Sequence, residues 1–427
     1  MTDRFEGTRT HLARARRTLA TGVPTAIRAG QLPMPICFSH AEGAYLTDVD
    51  GNRYVDLALA YGPMLLGHSP QPVVGAVHKQ LDELIGHGGT SHLEAELAEA
   101  VCRTVPSGEL AVFSSTGSEA AAAAVRIARA ATGRLRVVKF LGHYHGWLDG
   151  LHVGTPGHPD AGPGTAGQDP AAAAAVTVCR WNDIAALRAC LSDDVAAVIM
   201  EPVHVNAGCL VPEPGYLEAV RELTAERGIV LIFDEVITGF RLALGGAQER
   251  FGVTPDLTVL GKAMGGGLPI SAVCGRRDVM DVVASGVMQH IGTFNMNPLC
   301  AAAALAAVTT METERGSLYP QLEYAGADLA GAVRAAASET GYPLAVNQIG
   351  AAAYGFVSST PVRRYEDALA ADGDAYRRFV ELLAGAGVYA PARGLLYVSS
   401  AHGSAELARV RAAMVQAASA LAKDPVS

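Results

Sequence analysis

Short apolar runs alternate with amphipathic stretches through the middle of the chain. Between about residues 61 and 300 the apolar runs are LAVFSS, RVVKFLG, AAVIMEPV, IVLIFDEV and LTVLGK. Runs of this length, separated by helical patterns, are typical of parallel strands in a sheet that is covered on both faces. The pattern therefore predicts an α/β fold with a mostly parallel sheet in this region.

The two ends of the chain show a different pattern. Residues 1–60 begin with a helical pattern and end in two alternating runs joined at Asp50 and Gly51, which predicts a β-hairpin. Beyond residue 300 an alanine-rich helical stretch precedes the apolar runs AAAYGFVSS and LLYVSS and a terminal helix. We predict a large domain over 61–300 and a smaller α+β domain over 301–427, which the segment 1–60 joins.

A stretch rich in glycine, proline and alanine interrupts the large domain at 154–175. It has no helical or strand periodicity, which indicates a loop. The loop is either a linker or a lid over a site, and the sequence favours neither.

Composition limits the classes of partner. The chain has 427 residues, half of them apolar, a net charge of −9 and no long basic run, which argues against nucleic acid or an anionic membrane as partner. A solvated helix accounts for its most basic stretch, residues 11–20. Seven scattered cysteines without a CxxC pair argue against a disulfide framework or a zinc ribbon. With no apolar leader and no apolar stretch of about 18 residues, we expect a cytoplasmic protein.

Lys262 stands between an apolar run and three consecutive glycines in the stretch VLGKAMGGG. Of the other lysines, Lys79 lies in an amphipathic helical stretch and Lys423 in the tail, and we expect both to be exposed; Lys139 is expected to be a charged residue near the end of a strand. Glycines allow backbone to approach a bulky group, and desolvation makes a half-buried lysine nucleophilic toward carbonyl compounds. A P-loop does not fit, because its first glycine would fall where Asp256 stands. A salt-bridged strand-end lysine remains the alternative.

Asp234 ends the apolar run IVLIFD, and its spacing from Lys262 accommodates a helix and a further strand. Both groups are therefore expected at one end of the sheet, where open α/β folds bind ligands. Pyridoxal 5′-phosphate requires such a pair, because a lysine bonds to its aldehyde and an acid keeps its pyridine nitrogen protonated. A helix cap or an ion pair is the other interpretation of Asp234.

The stretch SSTGSEAAAAAVRIARAATG (114–133) places small hydroxyl residues and a glycine before a strong helix. Free N–H groups at such a helix start bind phosphate. Further along, Tyr144 in GHYHGWLDG offers an aromatic ring that can stack on a planar cofactor. His143 and His145 flank it, but no third ligand stands at a zinc spacing, so we predict no metal site.

Taken in order, these segments resemble the class III pyridoxal-phosphate-dependent aminotransferases, in particular their glutamate-1-semialdehyde 2,1-aminomutase-like branch. The longest similar block is FDEVITGFRLALGGAQERFGVTPDLTVLGKAMGGGLPIS, and STGSEA, YHG, EPV, GTFNMNP, YED and SSAH occur in the family's order. The resemblance covers nearly the whole chain. It implies a fold-type I transferase that binds pyridoxal 5′-phosphate and forms a homodimer with shared active sites.

The resemblance also implies a role for each matching residue. Lys262 would form the Schiff base and then carry the proton, and Asp234 would face the pyridine nitrogen. The remaining cofactor contacts would be Thr116, Gly117 and Ser118 at the phosphate, Tyr144 and Val236 on the two faces of the ring, Asn206 near the ring oxygen, and Thr293 at the phosphate of the neighbouring subunit.

The substrate-facing segments depart from the family. Arg28 matches an arginine of the family's GVNSPVR pattern and is expected to clamp a substrate carboxylate, and Tyr61 in YGPMLLGH is expected beside the substrate. Where the aminomutases read APSQFEAGFVS, this chain reads APARGLLYVS, so Gly394 replaces the family glutamate and Arg393 adds a second cation. These changes predict a carboxylate-bearing substrate, such as a β-amino acid or a keto acid.

Three functions remain open at this point. The first is net transfer of an amino group from an amino donor to a keto or aldehyde acceptor. The second is the glutamate-1-semialdehyde 2,1-aminomutase reaction. The third is a catalytically silent binding protein, which the presence of both Lys262 and Asp234 argues against, because binding alone requires neither.

Overall fold

The computed structural model of the protein describes residues 4–423. In chain order, its strands are β1 Phe38–Glu42, β2 Tyr45–Asp48, β3 Arg53–Asp56, β4 Leu110–Ser114, β5 Arg136–Phe140, β6 Val176–Cys179, β7 Val195–Met200, β8 Val230–Asp234, β9 Leu257–Leu260, β10 Ser271–Gly275, β11 Leu344–Ile349, β12 Ala352–Val357, β13 Val388–Tyr389 and β14 Leu395–Tyr397. Its helices are α1 Glu6–Ala15, α2 Ala26–Ala29, α3 Gln71–Glu83, α4 His92–Thr104, α5 Gly117–Thr132, α6 Pro170–Ala174, α7 Ile184–Cys190, α8 Tyr216–Glu226, α9 Gly246–Phe251, α10 Arg277–Ala284, α11 Pro298–Thr313, α12 Arg315–Thr340, α13 Tyr365–Ala370, α14 Gly373–Gly385 and α15 Ser404–Lys423, with 3₁₀ turns at Leu59–Tyr61 and Lys262–Gly265.

The described chain divides into two compact units. Residues 71–319 form the larger unit, and residues up to Pro70 form the smaller unit together with those from Pro320 onward. The sequence places the boundaries at 60 and 300 instead. Residues 301–319 join the larger unit because α11 packs on α3 and α4, and the segment after residue 60 joins the smaller unit because the backbone of His68 pairs with that of Gly43. The predicted domain ends, 1–3 and 424–427, lie outside the described residues.

The larger unit is built on a sheet with the strand order β4-β10-β9-β8-β7-β5-β6. Strands β5 to β9 run parallel to one another, and β10 runs antiparallel to both of its neighbours. Successive residues of one strand face opposite cores: Ile232 packs in the cluster that contains helix α5, and Phe233 packs with helix α8 on the other face. Burial on both faces explains the unbroken apolar runs and confirms the predicted α/β fold with a mostly parallel sheet.

The smaller unit contains the sheets β1-β2-β3-β13 and β11-β12-β14. Strands β2 and β3 pair in antiparallel fashion, so the predicted hairpin at Asp50 and Gly51 is confirmed. Gly51 adopts a φ of +82°, which glycine tolerates, and the Asp48 carboxylate accepts hydrogen bonds from the backbone N–H groups of Asp50 and Asn52.

The segment 154–175 connects β5 to β6, which are neighbours in one sheet. It is therefore not a linker between the two units, and a lid role remains a prediction. Among residues 4–423, none of the helices is both long enough and apolar enough to cross a membrane.

Candidate active site

The predicted cofactor groups of the larger unit follow the carboxyl ends of strands. Because β5, β7, β8 and β9 are parallel, their carboxyl ends share one edge of the sheet, and β4 runs in the same direction. The groups and the strands that precede them are Thr116 after β4, Tyr144 after β5, Asn206 after β7, Asp234 at the end of β8 and Lys262 after β9.

Lys262 is half-buried and opens a 3₁₀ turn with a φ of +42°. A positive φ is unusual for a residue with a side chain, and such backbone strain is concentrated at functional sites. The segment also packs closely on Val236. A Cβ added to Gly261 would lie 3.5 Å from one Val236 methyl, and a Cβ added to Gly117 would lie 3.3 Å from the other. Val236 thus lies between the start of helix α5 and the backbone just before Lys262.

Asp234 is buried and accepts a hydrogen bond from His145 Nδ1 at 2.7 Å. Its other oxygen accepts from the backbone N–H of Val236 at 3.1 Å. Burial lowers the pKa of His145, and the bond to Asp234 opposes that shift only in part. Because an ionised carboxylate can only accept, Nδ1 of His145 is the donor in this bond, which holds Asp234 in one orientation.

From the sequence, His145 stands out only as a possible metal ligand, and its contact with Asp234 is evident only in the structure. The signal that was available is its position directly after Tyr144, at the end of a strand that lies in the same sheet as β8. Within residues 4–423, no three histidine, cysteine or acidic side chains are grouped in a way that suits a metal ion.

Helix α5 begins at Gly117 behind a complete capping box. The Thr116 hydroxyl accepts from the N–H of Glu119 at 3.3 Å, and the Glu119 carboxylate accepts from the Thr116 N–H at 2.7 Å. Because Thr116 is engaged in this way, the N–H groups of Gly117 and Ser118 are the donors left for an anion in the first turn. Gly146 has a φ of +97° and packs closely on Ser118. A Cβ added to Gly146 would lie 2.8 Å from the Cα of Ser118.

Glu201 is buried at the carboxyl end of β7. Its carboxylate accepts hydrogen bonds from the Tyr144 N–H at 2.8 Å, from Asn206 Nδ2 at 3.0 Å, and from the backbone N–H groups of Val205 and Asn206, each at 3.1 Å. Burial raises the pKa of Glu201 to about 7, against the lowering effect of these donors. The predicted residues Tyr144 and Asn206 are thus brought together by an acid that sequence reasoning missed.

Lys139 is completely buried, whereas the sequence predicts a charged residue at the end of a strand. Its Nζ donates to the carbonyls of His143 at 2.8 Å, Leu151 at 3.1 Å and Val153 at 2.6 Å. Burial lowers its pKa to about 7, and the nearby carboxylates of Glu201 and Asp234 limit that shift. The lysine lies inside the protein because the loop after its own strand supplies every acceptor.

Arg28 and Tyr61 line a cavity of about 390 Å³ in the smaller unit. Its other walls are mainly apolar and include Ile36, Phe38 and Tyr389. Arg28 is exposed, and the Tyr61 hydroxyl accepts a hydrogen bond from Gln31 Nε2. The structure therefore brings together these two predicted substrate residues, in a cavity that Asp56 and His68, paired at 2.8 Å, also line.

Arg393 does not line that cavity. It is exposed and borders a separate depression of about 250 Å³ together with Arg377 and Asp374. The next residue, Gly394, is buried and adopts a φ of +99°. A Cβ there would collide with Cε1 of Tyr354 and lie 2.6 Å from the carbonyl oxygen of Gly355. This backbone has no room for the family glutamate.

We expect Gly394→Ala to lower the free energy of unfolding by about 2–4 kcal/mol, because it combines backbone strain with a clash against main chain. Gly341→Ala is the matched control: Gly341 has a φ of +72° but no atom within 4 Å of an added Cβ, so strain alone should cost about 1–2 kcal/mol. Denaturant unfolding of the two variants gives the comparison. Equal losses would show that the Tyr354 and Gly355 contacts relax freely.

Thr293 is exposed in the described chain. Its neighbours Ile291 and Phe294 are large apolar side chains with 82% and 73% of their surface exposed. Contiguous exposed apolar surface marks interaction sites. Thr293 lies between these two exposed apolar side chains in the sequence.

Known proteins resemble this chain over most of its length. Residues 26–394 match the family model "Aminotransferase class-III". A glutamate-1-semialdehyde 2,1-aminomutase from Pelotomaculum thermopropionicum is 41% identical over 404 residues, which is 92% of this chain and 93% of the relative.

Two solved structures share the fold. An omega-transaminase from Sphaerobacter thermophilus superposes with a TM-score of 0.91 at 32% identity, over 97% of each chain. A β-phenylalanine aminotransferase from Variovorax paradoxus gives a TM-score of 0.86 at 30% identity, over 97% of this chain and 94% of the other. The protein therefore belongs to the class III aminotransferases, which are enzymes that depend on pyridoxal 5′-phosphate.

Proposed function

We propose that the enzyme catalyses net transfer of an amino group between an amino donor and a keto or aldehyde acceptor, one of which bears a carboxylate. The observation that carries this proposal is Gly394. In the aminomutases a glutamate stands at the position that we align with it, and here neither the φ nor the surroundings admit a side chain. A carboxylate that could hold the ammonium group of a diamine-type intermediate is thus missing.

The residues of the larger unit fit pyridoxal 5′-phosphate. The first turn of α5 offers N–H donors suited to its phosphate, and Asp234 is a buried carboxylate suited to its pyridine nitrogen. Asn206 and Tyr144 share Glu201, which supports our placement of them at the cofactor ring, with Val236 on the opposite face. When bound, the cofactor serves as the electron sink that stabilises a carbanion next to the amino group.

In this proposal Lys262 has two roles. Its amine would hold the cofactor covalently in the resting enzyme, and once free it would act as the base that takes a proton from the substrate carbon and as the acid that returns it. Asp234, whose orientation His145 fixes, would face the pyridine nitrogen of the bound cofactor and keep that nitrogen protonated.

We propose that the cavity of Arg28 and Tyr61 receives the substrate carboxylate. Arg28 is its cation, and a guanidinium can hold a carboxylate through two hydrogen bonds. The apolar walls suit an aliphatic or aromatic substituent on the same molecule. A β-amino acid combines these features.

The test uses the holoenzyme in two assays. In the first, candidate amino donors, β-phenylalanine among them, are mixed with the enzyme, and the change in cofactor absorbance reports amino transfer; release of a free keto product supports net transamination. In the second, glutamate-1-semialdehyde is supplied without an amino donor. Efficient formation of 5-aminolevulinate there would overturn the proposal.

The aminomutase reaction is the second candidate, and the names of the relatives favour it. Besides the 41% identical protein, a glutamate-1-semialdehyde 2,1-aminomutase from Roseiflexus castenholzii is 40% identical over 95% of each chain. The replacement at Gly394 stands against it. The second assay decides between the two.

We expect Arg28→Ala to raise KM for carboxylate substrates between about 10-fold and 100-fold with little change in kcat, because a charge-assisted hydrogen bond contributes about 1.5–3 kcal/mol. Steady-state kinetics with a carboxylate amine and with its decarboxylated analogue measure the effect, and only the former should respond. Arg393→Ala should leave KM unchanged, since Arg393 borders a different depression. Equal increases in both variants would contradict the assignment.

We also propose a homodimer in which Thr293 reaches the cofactor phosphate of the neighbouring subunit. The exposed side chains of Ile291 and Phe294 support an interface at this segment. Light scattering coupled to size exclusion should give a dimer that persists on dilution, as an obligate interface does. A fully active monomer would contradict this proposal. We place the enzyme in the cytoplasm, because its scattered cysteines, without a CxxC pair, are compatible with a reducing compartment.

A further inference from the structure

The peptide bond between His143 and Tyr144 is held from both sides by buried ionisable side chains. Its carbonyl oxygen accepts a hydrogen bond from Lys139 Nζ at 2.8 Å, and its N–H donates to Glu201 Oε1, also at 2.8 Å. Lys139 is fully buried and Glu201 is nearly so. Lys139 lies in β5 and Glu201 directly follows the neighbouring parallel strand β7, and the two side chains meet across this one peptide group.

The contacts of Lys139 identify its protonation state. An ammonium has three N–H donors, and Lys139 has three carbonyl acceptors, at His143, Leu151 and Val153. A neutral amine has two donors, so its lone pair would face a carbonyl oxygen. Lys139 is therefore the charged ammonium, and it joins the two ends of the segment 143–153.

Glu201 extends the restraint to a second side chain. The oxygen that accepts from the Tyr144 N–H also accepts from Asn206 Nδ2 at 3.0 Å. Tyr144 and Asn206, which lie far apart in the sequence, thus share one carboxylate oxygen. A shift of either residue would break a charge-assisted hydrogen bond in a buried site.

We propose that Lys139 and Glu201 are positioning residues, which act through Tyr144 and Asn206 to fix the orientation of the cofactor ring. This inference rests on the proposed placement of Tyr144 and Asn206 at that ring. Stability alone does not account for the arrangement, because burying an ammonium requires desolvation that an apolar side chain of similar size avoids. What an apolar residue cannot do is hold both ends of the loop that carries Tyr144.

The first experiment compares Lys139→Met with the control Lys79→Met in the holoenzyme. Lys79 is exposed and pairs with Glu83 on the same helix, at 3.7 Å. We expect Lys139→Met to raise the dissociation constant of pyridoxal 5′-phosphate about tenfold or more, as the loss of residues that orient ligand groups does. The visible circular dichroism of the bound cofactor should weaken, since it depends on a fixed ring orientation. Lys79→Met should change neither.

The second experiment repeats Lys139→Met in a Tyr144→Leu background. If Lys139 acts through Tyr144, the two effects on cofactor affinity will not add, and Lys139→Met will weaken binding much less than it does in the native background. Equal tenfold losses in both backgrounds would overturn the inference while leaving the placement of Tyr144 intact. An unchanged affinity in Tyr144→Leu alone would overturn the placement and the inference together.

A substitution on the other side of the peptide keeps the proposal testable if Lys139→Met does not fold. Glu201→Gln retains the shape of the side chain and removes its charge. It is measured alone and in the Tyr144→Leu background, as Lys139→Met is. We expect a weaker dichroic signal and the same non-additivity. An unaltered signal and affinity in Glu201→Gln would overturn the role of the charged pair.

Discussion

Turnover should fall by at least about 10⁴-fold when Lys262 is replaced by alanine, since general acid–base catalysis alone contributes 10²–10⁴-fold and the covalent bond to the cofactor is lost as well. The other lysines cannot substitute. Lys139 is enclosed by three carbonyls, and Lys79 is exposed on helix α3. The purified variant should lack the visible absorbance of lysine-bound cofactor.

Single-turnover measurements with an amino donor, on the native enzyme and on Lys262→Ala, provide the quantitative check. Lys79→Ala controls for the general effect of removing a lysine and should behave as the native enzyme does. Normal turnover by Lys262→Ala would remove the central assignment of the active site.

The second large effect is expected for Asp234→Asn, which should lower kcat by roughly 10²–10³-fold, the cost of losing an electrostatic group that stabilises developing charge. His145 Nδ1–H can still donate to the asparagine oxygen, so the local geometry should persist. The loss would then reflect charge alone, because a neutral partner does not keep the pyridine nitrogen protonated. The variant should still bind cofactor.

A matched substitution on the surface separates the effect of removing the Asp234 charge from the effect of removing any carboxylate charge. Asp278→Asn removes an exposed carboxylate that pairs with Arg276 on the surface, and it should leave kcat unchanged. Cofactor content and kcat are measured for both variants. An unchanged kcat in Asp234→Asn would show that Asp234 does not face the cofactor.

The sheet and its two principal residues were predictable because both depend on local pattern and on topology. Unbroken apolar runs between helices indicate parallel strands, and residues that follow such strands share one edge of the sheet. Asp234 and Lys262 could be paired on this basis alone. The roles of Lys262 and Asp234 within that edge stay predictions until the variants are measured.

The buried polar network could not be predicted from local pattern. Lys139 in RVVKFLG looks like any cation near the end of a strand, and its burial depends on acceptors at Leu151 and Val153, more than ten positions away. Glu201 presents the same difficulty, because its donors include the N–H of Tyr144, from another strand end. Contacts between distant residues decide both cases.

The direction in which a side chain points was the other property that the sequence could not predict. Arg393 stands next to the position of the family glutamate, and proximity in sequence suggested proximity in space. The left-handed backbone at Gly394 changes the chain direction there, and Arg393 instead borders the depression near Arg377. Similarly, the predicted boundary at 300 places α11 in the smaller domain. The alanine-rich sequence of α11 does not specify which helices it packs against, so this error could not be avoided from the sequence.

The enclosure of Lys139 determines how the segment 143–153 can move. If either end of the segment lifted away, a charged ammonium would be left inside the protein without its acceptors, which costs several kcal/mol unless water enters at once. Small excursions of one end are therefore suppressed. The segment should open in a single cooperative step that hydrates Lys139, so that Tyr144 and His145 leave their places together.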